Sequence, residues 1–427
     1  MKSRKNVVII GGGFGGITAA KNLRKSGFEI IIVDKKNHHL FQPLLYQVAT
    51  AALSPGDIAI PIRSIFSNDD SVRTVLGEVV EIEPEENRIK LASGKQISYD
   101  YLIAAPGAIY NYFGNADWEK HAPGLKTLDN ALSIRETILL SLEKADQYEN
   151  PEDRKPFLTY VVIGGGPTGV EMAGAIAEIA KRNMMRDFKS ISPEETTVYL
   201  AEAGERVLNG YPEELSEKAK KDLEKMGVHV LLGKPVTEIR ENGAEIDGNF
   251  IETPNIIWAA GVKTAPLLSE LDCETDRAGR VKVKPDLTLP GSDNLFVIGD
   301  AAYLEDKNGD PLPALAPVAL QQGKYVAKQI RNRENEKPVK PFTYVDKGTM
   351  ATIGRAKAVA DIKGLKFSGF IAWILWSVIH IFFLIGFRNR FRVFAEWIWH
   401  YITFKRGVRL ITDRFKGVEV VEEGKRK

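Results

Sequence analysis

Gly11, Gly13 and Gly16 stand at GxGxxG spacing, the first pattern in the chain that implies chemistry. Glycines so spaced allow a tight turn, let backbone approach a pyrophosphate, and let a helix pack closely on a strand. Phe14 and Gly15 lie inside the turn. Asp34 is placed to accept hydrogen bonds from an adenosine ribose, with Lys35 beside it. The pattern recurs at Gly164, Gly166 and Gly169, followed by a second acid, Glu202. Two fingerprints imply two dinucleotides. A carboxylate at Glu202 bonds a ribose diol and repels a 2′-phosphate, which favours NADH over NADPH, with Arg206 nearby as the opposing charge. Glu171, two residues past Gly169, has two readings. It complements the helix dipole, or it sits beside a nicotinamide, since this turn is expected to face the junction between the two domains.

Further candidates are spread along the chain. Residues 37–49 read NHHLFQPLLYQVA, where two-dinucleotide flavoenzymes that reduce disulfides carry a redox cysteine pair. None is present, and Cys273 is the single cysteine, so any flavin must hand its electrons to an external acceptor. Adjacent His38 and His39 without a third partner do not make a metal site, and the segment reads as a loop packed beside the cofactor. Val79 and Val80 are expected to neighbour an adenine. Ala105 and Gly107, and the matching exit at Gly261, lie in small-residue turns after strands. Asp300, after a hydrophobic strand, fits a carboxylate near a flavin's ribityl chain and pyrophosphate. Ala316 and Pro317 open a helix whose N-terminus would stabilise negative charge on the flavin pyrimidine edge, and Gln321 lies one turn further along.

These residues need elements to hold them. A β-branched run precedes each glycine turn, a helical stretch follows (17–25 and 170–182), and a second strand ends on each acid. The fold class expected is therefore α/β, with two Rossmann-like dinucleotide-binding domains and a C-terminal helical membrane-anchoring region. The first domain takes residues 1–112 and 265–345, the second 113–264, and the anchoring region 346–427. A chain of 427 residues can build a sizeable core in each. Its 58 basic and 56 acidic side chains give no reason to expect a nucleic-acid partner. No secretory signal precedes the first strand, so the catalytic part is expected to be cytoplasmic.

Residues 367–387 contain no Asp, Glu, Lys or Arg, a length that could span ~30 Å of bilayer. Charge argues against crossing. Lys363 and Lys366 precede the run, while Arg388, Arg390, Arg392, Lys405, Arg406 and Arg409 follow it, so one crossing would put the more basic flank outside. Residues 393–404 include Glu396 and are too short to return. Four of the six tryptophans fall between 373 and 399, as in an interfacial anchor. The expectation is monotopic docking on the cytoplasmic face of the membrane.

The chain resembles the type II NADH:quinone oxidoreductases, single-subunit, non-pumping NADH dehydrogenases of respiratory membranes. The resemblance covers both fingerprints, residues 37–49, 297–301 and 348–354, and the aromatic C-terminus. It implies FAD in the first site, NADH in the second and a membrane quinone as acceptor, and leaves a homodimer open. Glu171 then matches the family's glutamate near the nicotinamide, and Gln321 the second glutamine of A-Q-x-A-x-Q. These two are the catalytic candidates. The first glutamine is absent, with Pro317 in its place, and a proline side chain cannot hydrogen-bond a quinone carbonyl. Alternatives are another FAD-dependent pyridine nucleotide oxidoreductase, a sulfide:quinone oxidoreductase, which needs cysteines this chain lacks, or a non-enzymatic NADH-sensing membrane protein.

Overall fold

The computed structural model describes residues 4–179, 187–403 and 408–411. The expected helix end at 180–182, Phe404, Lys405, Arg406 and the chain from 412 onward lie outside the described residues. The described chain forms two compact units. One takes residues 1–41, 59–111 and 261–347; the other takes 42–58, 112–260 and 348–427.

The first unit is built on a five-stranded parallel sheet in the order Leu295–Val297, Tyr101–Ala104, Asn6–Ile10, Glu29–Asp34, Val72–Leu76. Strands such as Val7 to Ile10 and Ile30 to Val33 are buried on both faces, which is why they read as continuous apolar runs. The helix Phe14–Leu23 follows the first strand and packs on the helix Ala316–Glu334. Their approach is backbone to backbone: a Cβ on Gly323 would stand 2.3 Å from the Gly15 carbonyl oxygen. Val79 opens a separate three-stranded antiparallel sheet with Arg88–Leu91 and Gln96–Ser98.

The second unit repeats the plan with four parallel strands, in the order Val228–Leu232, Thr197–Glu202, Thr159–Ile163, Asn255–Trp258. Its fingerprint helix is Pro167–Glu178. The C-terminal region belongs to this unit by contact, because its three-stranded sheet, Thr349–Gly354, Lys357–Ile362 and Leu365–Ser368, packs on that helix. A Cβ on Gly174 would lie 1.7 Å from the Ile353 carbonyl oxygen, so helix and strand touch at their backbones.

The apolar run 367–387 does not make one helix. Its start belongs to the strand Leu365–Ser368, a helix covers Gly369–Phe383, and the chain turns at Gly386 (φ 91°) into the helix Phe387–Thr403. Among the described residues no helix is long and apolar enough to cross a membrane.

Candidate functional site

The first glycine turn has the shape its spacing requires. Gly11 has φ 98°, and a Cβ there would meet the Ala105 carbonyl oxygen at 2.2 Å; on Gly16 it would meet Gly11 O at 1.9 Å. Gly13 caps the Phe14–Leu23 helix, with no acidic side chain in its first turn and open space where a Cβ would stand. An FAD pyrophosphate fits this cradle, since the helix N-terminus offers uncommitted N–H groups to an anion. Asp34 accepts the Gly12 N–H at 2.5 Å on one oxygen and the Lys36 N–H at 2.7 Å on the other. A carboxylate has lone pairs left for ribose hydroxyls. Lys35 points outward, 3.8 Å from Glu78. Val79 is buried, Val80 is exposed, and Gly107 (φ 75°) follows Ala105. Gly261 (φ 64°) falls just inside this unit, before the strand Val262–Thr264 that pairs with Ala108–Tyr110. Asp300 lies in the short helical turn Gly299–Ala301, which Gln322 steadies by accepting the Gly299 N–H at 2.6 Å.

Ala316 opens its helix as expected, with no acid in the first turn. Gln321 is committed elsewhere. Its amide donates to the Val345 carbonyl at 2.9 Å and accepts the Val345 N–H at 3.0 Å. Tyr325, Gln329 and Asn332, further along the helix, hold the backbone of Lys340 and Pro338. Together they bind an extended strap that the sequence did not reveal.

The second turn repeats the first. Gly164 has φ 108°, and a Cβ on Gly169 would strike Gly164 O at 1.8 Å, while Gly166 is open. Glu202 accepts N–H groups from Gly165 at 2.5 Å and Gly204 at 2.7 Å. Arg206 donates to the Asn209 carbonyl at 3.1 Å.

Glu171 lines a pocket walled by Tyr46, Gln47, Thr352, Trp376 and Trp397, none of which the sequence marked individually as a site residue. Thr352 N–H lies 3.4 Å from the carboxyl. Burial pushes the Glu171 acid from near 4.5 up to about 8, against the opposing pull of that N–H and the Trp376 side chain. At neutral pH the group therefore carries a proton. Trp397 Nε1 donates to Gln47 Oε1 at 2.8 Å, and Gln47 Nε2 donates to the Tyr46 hydroxyl at 2.8 Å. Arg392 faces Asp57 at 3.6 Å, and Asn389 donates to the Gly56 carbonyl at 3.2 Å. Residues 42–58, expected as a cofactor-side loop up to 49, are thus pinned to the last described helix. Glu396, Trp397, His400 and Tyr401 all line the pocket at helical spacing, a signal readable from sequence only once the helix has a partner.

The pattern of a pyridine nucleotide-disulphide oxidoreductase matches residues 5–323, and that of an NDH2 C-terminal domain matches 347–406. The chain is 42% identical over 426 residues to the type II NADH:quinone oxidoreductase Ndh of Mycobacterium tuberculosis, covering 96% of this chain and 91% of that one. A type II NADH:quinone oxidoreductase of Staphylococcus aureus is 29% identical over 388 residues, 88% of this chain and 94% of its own length. Among solved structures, NDH2 from Plasmodium falciparum in complex with NADH superposes with a TM-score of 0.88 at 22% identity, covering 95% of this chain and 100% of that one.

Proposed function

The chain belongs to the type II NADH:quinone oxidoreductases, and from that premise we propose that its Glu171 pocket is where the acceptor quinone takes up its electron pair and a proton. The enzyme oxidises NADH with FAD and reduces a quinone by two electrons. When bound, FAD supplies the two-electron carrier between NADH and quinone. In this reading Gly11, Gly13, Phe14, Gly15, Gly16, Asp34 and Asp300 hold it, with the Ala316–Glu334 helix N-terminus nearby in sequence terms. Gly164, Gly166, Gly169 and Glu202 hold NADH.

The observation that carries the assignment is a buried carboxyl, Glu171, in a pocket lined by Tyr46, Trp376 and Trp397. Reduction of quinone to quinol consumes two electrons and two protons: the hydride taken from NADH accounts for both electrons and one proton, and one further proton must come from the protein and be replaced from solvent. An acid with a value near 8 holds a proton at neutral pH and can give it to a developing oxyanion. Tryptophan and tyrosine faces suit a flat, weakly polar ring. The role is assigned to Glu171 rather than Gln321, because both amide functions of Gln321 already bond Val345. Soaking with a photoreactive quinone analogue should label Tyr46, Trp376 or Trp397, and exclusive labelling of residues 316–345 would reverse the assignment.

Glu202 sets the nucleotide. Its two oxygens already accept two backbone N–H groups, so a third acceptor in the form of a 2′-phosphate meets only like charge. Arg206, the counter-charge four residues further along the chain, is turned to the Asn209 carbonyl. NADH should be preferred to NADPH at least tenfold in kcat/KM, about 1.4 kcal/mol. Equal values would remove Glu202 from the account.

The same reading docks the protein on the cytoplasmic face of a membrane. The helix Phe387–Thr403 is amphipathic with its apolar side outward: Phe387, Phe391, Phe394, Ile398 and Ile402 recur on one face and are all exposed. Phe370, Ile374, Val378 and Phe382 do the same on the preceding helix. Polar and aromatic side chains of the last helix instead face the pocket. Such a patch fits the headgroup boundary of a bilayer, where the quinone resides. Changing Phe391, Phe394 and Ile398 together to serine should cut liposome binding at least tenfold, since each buried side chain contributes about 1.5–3 kcal/mol. Unchanged cosedimentation would refute docking by this face.

A further inference from the structure

His39 makes a contact that the mechanism leaves unused. It lies in the short strand His38–Leu40, is 2% exposed, and its Nδ1 stands 2.9 Å from the carbonyl oxygen of Gly12. A carbonyl only accepts, so Nδ1 carries the hydrogen and donates. Nε2 is buried and has no hydrogen-bond partner among the described residues. Burial keeps the ring neutral, pushing its value down to about 4.

The consequence follows from peptide geometry. In a trans peptide the carbonyl and the following N–H point in opposite directions. Holding Gly12 O on the His39 side therefore aims the Gly13 N–H away from His39. A Cβ built on Gly13 would meet nothing within 4 Å, so the turn is not filled by side chains at this residue. The peptide before it is fixed separately, by the Gly12 N–H on Asp34. Ile62 closes the remaining side, since a Cβ on Gly12 would come within 2.4 Å of its Cδ1. The Phe14 ring stands edge-on to the imidazole at 5.2 Å and 87°, and edge-on in turn to Phe41 at 5.8 Å, which limits rotation of the histidine. Glycines at 11, 12 and 13 leave that peptide plane no side chain of its own to fix it.

We propose that His39 is a positioning residue for the flavin dinucleotide: it orients the Gly12–Gly13 peptide so that the Gly13 N–H is presented to the pyrophosphate. This rests on the reading that the first glycine turn holds FAD. His39 does not touch the reacting atoms, and its effect is on cofactor affinity.

The test is FAD binding by apo-protein, followed by flavin fluorescence, with thermal melting of each apo form as a control. Asn places its amide nitrogen where Nδ1 was, while Gln places it where Nε2 was, so H39N keeps the donor and H39Q loses it. H39F keeps the ring shape alone. One lost hydrogen bond corresponds to roughly a three- to tenfold rise in the FAD dissociation constant for H39Q and H39F, with H39N within about twofold of the parent. The H39N and H39Q pair decides the matter even if H39F does not fold. Equal affinity in H39Q and the parent would overturn the proposal, as would equal losses in H39N and H39Q. Parent apo-protein that takes up no FAD would overturn the reading beneath it as well, and so separates the two failures.

Discussion

Glu171→Gln should slow reoxidation of the reduced enzyme by quinone at least tenfold while NADH-driven flavin bleaching stays within about threefold. Glutamine keeps the size of the side chain and can still accept the Thr352 N–H, so the change removes chiefly the titratable proton. General acid–base groups typically contribute about 10²- to 10⁴-fold, which sets the scale. The position alone suggested the NADH side; the wall of the pocket, made by Gln47, Trp376 and Trp397, moves the expected loss to the acceptor side. A pH profile adds a second signature. Reoxidation by the parent enzyme should fall as pH rises past about 8, where Glu171 loses its proton, and the variant should lack that inflection. The same carboxyl ties folding stability to pH. The folded value is raised, so the favourable contribution is complete below about 4.5 and is lost as pH climbs through 8. Between those values the parent should lose stability relative to Glu171→Gln by up to about 1.4 kcal/mol per pH unit. Parallel curves in chemical denaturation would contradict it.

Gly174→Ala should lower the melting temperature by several degrees and cost most of the quinone activity, although alanine is the better helix former. The propensity gain is at most about 1 kcal/mol. Against it stands a Cβ 1.7 Å from a backbone oxygen and 2.9 Å from the carbon that bears it. No rotamer relieves a clash between a Cβ and backbone, so the helix Pro167–Glu178 must move off the strand Thr349–Gly354. Overpacking of this kind costs about 1–3 kcal/mol or more. That helix carries Glu171 and that strand carries Thr352, so the displacement opens the pocket itself. Gly56→Ala, with nothing within 4 Å of its Cβ, is the control and should melt with the parent. Equal melting of the two variants would show that the helix and strand are not in backbone contact.

The glycine turns were legible because much of their physics is local: a Cβ on Gly16 or Gly169 would strike the oxygen of Gly11 or Gly164 five residues earlier, and Gly11 and Gly164 themselves need a positive φ. The acids Asp34 and Glu202 were legible for the same reason, each binding the turn beside it. The pocket around Glu171 was not, because Tyr46, Gln47, Thr352, Trp376 and Trp397 converge from segments hundreds of residues apart. Gly174 was also silent, since a glycine inside a helix shows its purpose only when the neighbouring strand is known. Gln321 shows how a motif and a structure can speak to different partners. The spacing pointed to the flavin and quinone, while both amide groups bond a strap twenty-four residues later. The apolar run at 367–387 reads as one span in sequence, but glycine at 386 and the strand at 365–368 divide it.

Two-electron passage from NADH to a quinone through a single bound flavin is tested most directly by an anaerobic titration followed in the flavin absorption bands. One equivalent of NADH per flavin should bleach the spectrum, and one equivalent of a soluble quinone should restore it. Bleaching that quinone fails to reverse, or a spectrum that NADH leaves unchanged, would contradict the account.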